Sequence, residues 1–342
     1  MFSHLIKPDF EHFQQTLFNK TNDYIPLIEL GIHPEMREKI FGKPAITIND
    51  EIAFMRSLGY DFIKVQPGIK IDTARSIAKN ANVAADRSWS SEHDGVVTDW
   101  ESFEKYHWVE PRDLNYKRLE EAGKLIPDDM GIIGQYGDIY TTVWEMMGFE
   151  NFSMMMYEDP ELIKAMFDKI GGLIMSMFET MASMDFVKVL WYSDDIAYSS
   201  GLMVSPDFIR EHLFPYLKRI GELAKQRNIP FIYHSDGVLY DVMPDLIDDI
   251  GVTSLHPVEP ISMDMAELKD RVGDKLCLCG GIDVDQLCRA TPDEIRDLTR
   301  KFIDIARGRG GWIAGSSNSI PEYVKPENYL AMIETVLKEG QW

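Results

Sequence analysis

"FIYHSDG", residues 231–237, runs three apolar or aromatic residues straight into His234, Ser235, Asp236 and Gly237. A hydrophobic strand that ends on an imidazole and a carboxylate is open to three readings: a metal site, an acid/base pair, or a polar turn. Its neighbours in the fold decide among them.

Seven further runs share its character: "IPLIEL" (25–30), "YDFIKV" (60–65), "GIIGQY" (131–136), "FVKVLWY" (186–192), "GVTSLH" (251–256), "KLCLCGG" (275–281) and "GWIAGSS" (311–317). Several are almost continuously apolar, as strands buried on both faces are. Helical signals lie between them. Leu162, Met166, Ile170, Leu173, Met177 and Met181 recur every three or four residues behind an Asp159-Pro160 start. Thr291-Pro292-Asp293-Glu294 reads as a capping box. Ser205-Pro206 predicts one more helix, with Lys218, Arg219 and Lys225 towards its end. Strands alternating with helices pair in parallel through right-handed crossovers. Eight such runs predict an α/β fold of the (β/α)8 TIM-barrel type, with a doubly wound open sheet as runner-up. A single domain, 1–342, is expected, with an inserted segment at about 67–129 whose "HDG" (93–95) predicts a hairpin turn.

Bulk composition agrees. The chain has 342 residues, 45% hydrophobic and 27% charged, with a net charge of −21. That charge argues against nucleic acid and anionic membranes as partners, since both need clustered Lys and Arg. Cys277, Cys279 and Cys288 make no disulfide framework, and no signal core or membrane-length apolar run is present, so a cytoplasmic location is expected. Cys277 and Cys279 read better as core thiols than as metal ligands.

In such barrels the active site lies at the carboxyl ends of the strands. The residues there are Glu29, Gln66, Gln135, Tyr136, Asp194, Asp195, His234, Asp236, His256, Glu259, Asp283 and Ser316 to Asn318. Being two apart, His234 and Asp236 point the same way in extended chain. They suit one ion, with Asp194 or Glu259 adding oxygens, or an acid/base role, or an Asx-type turn at Asp236-Gly237. Asp194-Asp195 can separate in pKa, or one can cap the next segment while the other faces water.

"YHSDGVLYDVMPDLIDDIGVTSLHPVEP", "GGIDVDQL", "TPDEI" and "SSNSIPEYVKPENYLAMIETV" together resemble the uroporphyrinogen decarboxylase superfamily, nearer its corrinoid-dependent methyltransferase-like branch. The resemblance implies a barrel with one central cavity. The decarboxylases' arginine-rich N-terminal motif is missing: the first 40 residues hold only Arg37. Thiol-methylating members bind zinc through His-x-Cys and a later cysteine; the matching positions here are His234, Asp236 and Ser316 or Ser317, so both thiolates are replaced.

The resemblance therefore implies a methyltransferase moving a methyl group between a small O-methyl or N-methyl substrate and a corrinoid (cobalamin) on a partner protein. His234, Asp236, Asp194 and Asp195 are the expected catalytic residues. Glu29, Gln135, Tyr136, Asp283 and Asn318 are expected to bind substrate, and His234, Asp236 and Glu259 to hold Zn2+ if a metal is used. A decarboxylase or lyase acting on a small acid or a tetrapyrrole, and a non-catalytic tetrapyrrole- or corrinoid-binding protein, are the alternatives. A homodimer is compatible with the fold.

Overall fold

The structure is a computed structural model that describes residues 1–341 except 3–4, 21–22, 74–75, 79–86, 90–94 and 308–309. Seven of the eight apolar runs form one parallel sheet. Its strands are β1 (Phe62–Val65), β2 (Gly131–Gly137), β3 (Val187–Ser193), β4 (Phe231–His234), β5 (Ser254–His256), β6 (Cys277–Cys279) and β7 (Trp312–Ile313). Spatial order follows chain order from β1 to β7, and every pairing is parallel. A doubly wound sheet starts in its middle and reverses at a switch point, so this one-way winding sets that alternative aside.

The first run differs from expectation. Residues 25–30 form no ladder; Leu27 makes a single parallel bridge to Ala314 beside β7, with Ile28 N–H donating to Ala314 and Ala314 N–H to Pro26. Pro26 has no N–H to extend the pairing. Among the described residues no backbone hydrogen bond joins this run to β1, so the sheet winds as a barrel does but its last seam is not closed by a ladder.

Both faces of the strands are buried, for different reasons. Tyr192 stacks on Tyr233 at 6.1 Å and meets Phe178 of the helix Pro160–Ser183 at 5.9 Å, so these rings face the helical layer. Alternation then turns Trp191, Ser193 and His234 to the other side. The methionine-rich stripe of Pro160–Ser183 is buried throughout, and the Asp159 carboxylate accepts from Leu162 N–H as its N-cap. The capping box at Thr291 starts Pro292–Ala306. Ser205 caps Pro206–His212, but the helix breaks at Leu213 and resumes as Phe214–Arg227. Pro215 explains the break, since it has no N–H to give to the preceding turn. Lys225 and Arg227 end the second piece.

In the inserted segment, Ser76–Ala78 pairs antiparallel with Arg87–Trp89. The expected "HDG" turn falls on His93 and Asp94, which lie outside the described residues; helices Trp100–Lys105 and Lys117–Leu125 follow. Cys277 and Cys279 are fully buried in β6, as core thiols should be. Among the described residues no helix is long and apolar enough to cross a membrane.

Candidate active site

The carboxyl ends of β2 to β5 lie in register: Gly137 pairs with Ser193, Ser193 with His234, and His234 with His256. Two strands that each end on histidine ("FIYH", "TSLH") thereby place their imidazoles side by side. The Nδ1 atoms are 2.7 Å apart and the rings 5.0 Å, both residues being buried. One Nδ1 must carry the shared proton and the other must be bare. His256 Nε2 is buried without a partner, close to the Trp191 ring. A buried orphan N–H is rarer and costlier than an orphan acceptor. The favoured tautomer therefore leaves His256 Nε2 bare, lets His256 Nδ1–H donate to His234, and puts a proton on His234 Nε2.

That proton faces the Asp195 carboxylate, Oδ1 at 3.6 Å, and the Asp236 carboxyl, Oδ1 at 3.9 Å. Burial holds His234 down to about 4 against the pull of Asp195, with the Lys64 cation pushing the same way as burial; burial, then His234 and Lys64, hold His256 well below the ordinary histidine value. Both imidazoles are neutral at physiological pH. Asp236 behaves oppositely. Burial, then Asp195, then Glu259 raise it to about 8, although Asn318 Nδ2–H donates to its Oδ2 at 2.7 Å. Its Oδ1 is buried and unpartnered. A carboxyl group that keeps its proton near neutral pH, with one buried oxygen unpartnered beside His234, is an acid lacking an acceptor.

The turn after His234 holds this arrangement in place. Asp236 N–H donates to Asp195 at 2.9 Å and Gly237 N–H to Glu259 at 3.0 Å. Gly237 sits at φ +87°, and a Cβ there would lie 2.5 Å from the Ala197 backbone, so only glycine fits. The Asx-type turn is not formed: Val238 N–H donates to Tyr198 O, and the Asp236 side chain accepts from Asn318 instead.

The neighbours Asp194 and Asp195 part company. Asp194 is buried and accepts from Tyr140 N–H, Thr141 N–H, the Thr141 hydroxyl and the Tyr192 hydroxyl, between 2.7 and 3.0 Å. It caps helix Ile139–Met147 from across the mouth; although it borders the central cavity, both its oxygens are engaged. Asp195 is half exposed and turns to His234 and Asp236. Among the described residues, Asp195, His234 and Asp236 are the group whose ligand atoms all lie within 4.8 Å of one another. Glu259, expected as the third metal ligand, is not among them; its Oε2 also accepts from Ser262 at 3.0 Å.

Of the expected substrate contacts, Gln135 and Asn318 line the cavity around His234, and Tyr136 lines an adjoining chamber. Gln135 is held by Lys64 and Gln66 at its oxygen and by Ser193 at its nitrogen. Glu29 is not brought to the cavity. Its buried carboxyl is raised to about 8 by burial and accepts from Ser316 N–H and hydroxyl. Asp283 caps Val284–Arg289 by accepting from Asp285 N–H at 2.8 Å and lines none of the chambers described here. Ser316 and Ser317, at the lost cysteine positions, hydrogen-bond Glu29 and Val284.

Three chambers meet here. The central one, ≈ 410 Å³, holds His234, Asp195, Gln135, Asn318 and Lys64. Through Lys64, Gln66 and Ser319 it adjoins a chamber of ≈ 780 Å³ walled by Arg37 and Arg118. Through Asp138 and Asp195 it adjoins another of ≈ 740 Å³ carrying Glu145, Asp236, Glu259 and the rings of Trp144, Phe149 and Tyr198. Sequence reading missed Lys64, whose one available signal was a lone cation near the end of an apolar run, two residues before Gln66 and on its face. Arg37 and Arg118 lie on helices and gave no such signal, while Asp138, directly after β2, was passed over because the apolar run reads as ending at Tyr136.

The family described as uroporphyrinogen decarboxylase has a model that matches residues 93–338. A uroporphyrinogen decarboxylase of Streptomyces avermitilis is 21% identical over 337 residues, covering 93% of this chain and 85% of its own. That of Citrifermentans bemidjiense is 25% identical over 229 residues, 63% of each chain. Among solved structures, a methyltransferase from Methanosarcina mazei superposes with a TM-score of 0.70 at 14% identity, covering 97% of this chain and 98% of that one.

Proposed function

We propose, for a chain that belongs to the uroporphyrinogen decarboxylase family, that the junction of the His234 and Asp236 chambers, at Asp195, labilises a methyl group on the oxygen or nitrogen of a small substrate. The observation that carries this reading is the buried, unpartnered Oδ1 of Asp236 beside His234, on a carboxyl that burial, Asp195 and Glu259 raise to about 8. A methyl ether or amine is a poor methyl donor because its heteroatom leaves badly. A proton delivered to that heteroatom as the carbon–heteroatom bond breaks lets it keep the bonding pair and leave neutral. Asp236 is the donor, and Asp195, facing His234 Nε2–H, keeps the imidazole oriented. Asn318 fixes the Asp236 carboxyl through its other oxygen. Asp194 positions: it holds the helix at the cavity wall. The methyl acceptor in this reading is the reduced corrinoid of a partner protein, which supplies the nucleophile.

The same residues fit a zinc ion. One imidazole and two carboxylates within 4.8 Å form a sound oxygen-rich donor set. His234 Nε2 would bind in the opposite tautomer, its Nδ1–H donating to His256 across the same 2.7 Å. Zinc held by Asp195, His234 and Asp236 would supply Lewis-acid polarisation of the substrate heteroatom. No step above depends on it.

The test is demethylation of a panel of methoxylated aromatics and methylamines in the presence of a cob(I)alamin protein. Turnover by the wild type that collapses in Asp236→Asn supports the reading; no turnover with any donor defeats it. Decarboxylation of a small acid is the second reading. The family's relatives and the same buried acid favour it, since a carbanion left by CO2 loss also needs a proton. Release of CO2 without methyl transfer would select it.

A further inference from the structure

The chamber of ≈ 780 Å³ beside His234 takes no part in the chemistry above. Three cations from separate elements wall it: Arg37 of helix Pro34–Phe41, Lys64 of β1, and Arg118 of helix Lys117–Leu125. In a chain with 35 Lys and Arg against 56 Asp and Glu, such a convergence runs against the overall charge. Like charges facing one cavity repel unless an anion sits among them.

Glu51 supplies part of that anion. Its Oε1 lies 3.5 Å from Arg37 and its Oε2 2.5 Å from Arg118. It is only 7% exposed and does not line the chamber, so it fixes both guanidinium groups without filling the cavity. Lys64 has no carboxylate partner among the described residues; its Nζ donates to Gln135 at 3.2 Å and sits 5.6 Å from the centre of the Trp191 ring. Glu51 offsets one of the three charges, and burial draws Lys64 down to about 8, so the wall stays net positive at neutral pH. On the other side of His234 the chamber is lined by Asp138, Glu145, Asp195, Asp236 and Glu259. An anionic group is drawn to one end of this cavity system and repelled from the other.

We infer that the Arg37–Lys64–Arg118 chamber is an oxyanion subsite, binding a carboxylate or phosphoryl group of the substrate while the bond to be broken lies at His234 and Asp236. The inference deepens the methyl-transfer reading by naming the substrate class: a small methylated molecule with an anionic end. A guanidinium fork matches either oxyanion, which makes charge rather than shape the selecting property.

The test is calorimetric titration of the protein, without any corrinoid partner, using benzoate, phenyl phosphate and neutral benzamide. At low salt at least one of the two anions should bind saturably, about tenfold or more tighter than benzamide, and weaken as salt rises. Tighter benzoate identifies a carboxylate subsite, and tighter phenyl phosphate a phosphoryl one. Arg118→Gln and Lys64→Met should each erase most of the preference, and Arg118→Lys should keep part of it. Salt dependence in the wild type tests the idea even where a variant folds poorly. Equal binding of benzamide, no saturable binding of either anion, or a preference that survives both substitutions overturns the subsite. Benzoate bound by a protein that demethylates no donor leaves the subsite standing and removes methyl transfer. Methyl transfer with unchanged KM in both variants, and no anion preference, removes the subsite alone.

Discussion

The two sides of the mouth handle charge in opposite ways. On the side of Arg37, Lys64 and Arg118, one buried carboxylate is shared between two guanidinium groups and the lysine stands apart. On the side of Asp195, Asp236 and Glu259, no Lys or Arg lines the chamber, and repulsion is relieved when Asp236 keeps its proton. The two guanidinium groups stay charged and paired while burial draws Lys64 down to about 8, and carboxylates that meet without cations become acids. The first region is therefore suited to holding a charge, and the second to moving a proton.

The largest expected effect comes from removing that proton. Asp236→Asn should lower kcat/KM by roughly 10²–10⁴, the usual span for a general acid, while folding is kept because Asn318 can still bond the side chain. In the wild type the rate should fall as pH rises through about 8, where Asp236 ionises. A pH–rate profile that keeps its alkaline limb in Asp236→Asn would assign the proton to another group and erase the contrast between the two sides.

Asp194 and Asp195 come next, compared by stability rather than rate. Asp194→Ala strands three donors at the start of Ile139–Met147 and the Tyr192 hydroxyl of β3. At about 1–3 kcal/mol per buried unsatisfied group, a loss of roughly 4 kcal/mol or more is expected in urea denaturation. Asp195→Asn should change stability by under about 1 kcal/mol, since its side chain is half exposed, yet reduce activity. Equal destabilisation by both would mean that their environments are less distinct than their hydrogen bonds indicate.

This pair shows what the sequence could and could not reveal. An acidic pair after an apolar strand marked a strand end, and strand ends marked the mouth; apolar continuity and helix caps are local signals and carried the sheet. Which carboxylate turned inward depended on where Tyr140 and Thr141 fell after folding, some 53 residues away, and no local pattern encodes that. Glu29 misled for the same reason: it stands beside the mouth in sequence, but Ser316, 287 positions on, draws it into the wall. His256 was visible as a strand end, but its bond to His234 became visible only once β4 and β5 were in register. The open seam beside residues 25–30 was likewise hidden, since an apolar run containing Pro26 looks like a strand until its partners are counted.

Glu29 gives a smaller effect, on stability against pH. Its folded pKa of about 8 lies above the ordinary value of 4.5, so the folded state binds the extra proton between those limits. Its contribution is fully present below about 4.5 and is lost as pH rises through 8. Glu29→Gln removes the titration, and its stability curve should be flatter than that of the wild type by a few kcal/mol between pH 5 and 8, near 1.4 kcal/mol per unit at most. Parallel curves would show that Glu29 ionises in the folded protein without cost.

The smallest expected effect tests whether the two sides feel each other through His234. Burial is the main reason that this imidazole sits near 4, Asp195 opposes it, and Lys64 adds to the depression. Lys64→Met removes the cation and leaves burial in place, so the His234 pKa should rise by less than about one unit and stay below the ordinary 6.5. Ring-proton NMR titration of chelator-treated protein reads this directly. The sign carries over to stability. A depressed histidine stabilises the fold above 6.5, and that contribution is lost as pH falls through the folded pKa. Raising the folded value narrows the window from below, so the variant should lose less stability than the wild type between pH 6.5 and 4. An unmoved His234 would mean that water between the chambers screens the lysine completely, leaving the cation side to bind its ligand without influence on the proton chemistry beside it.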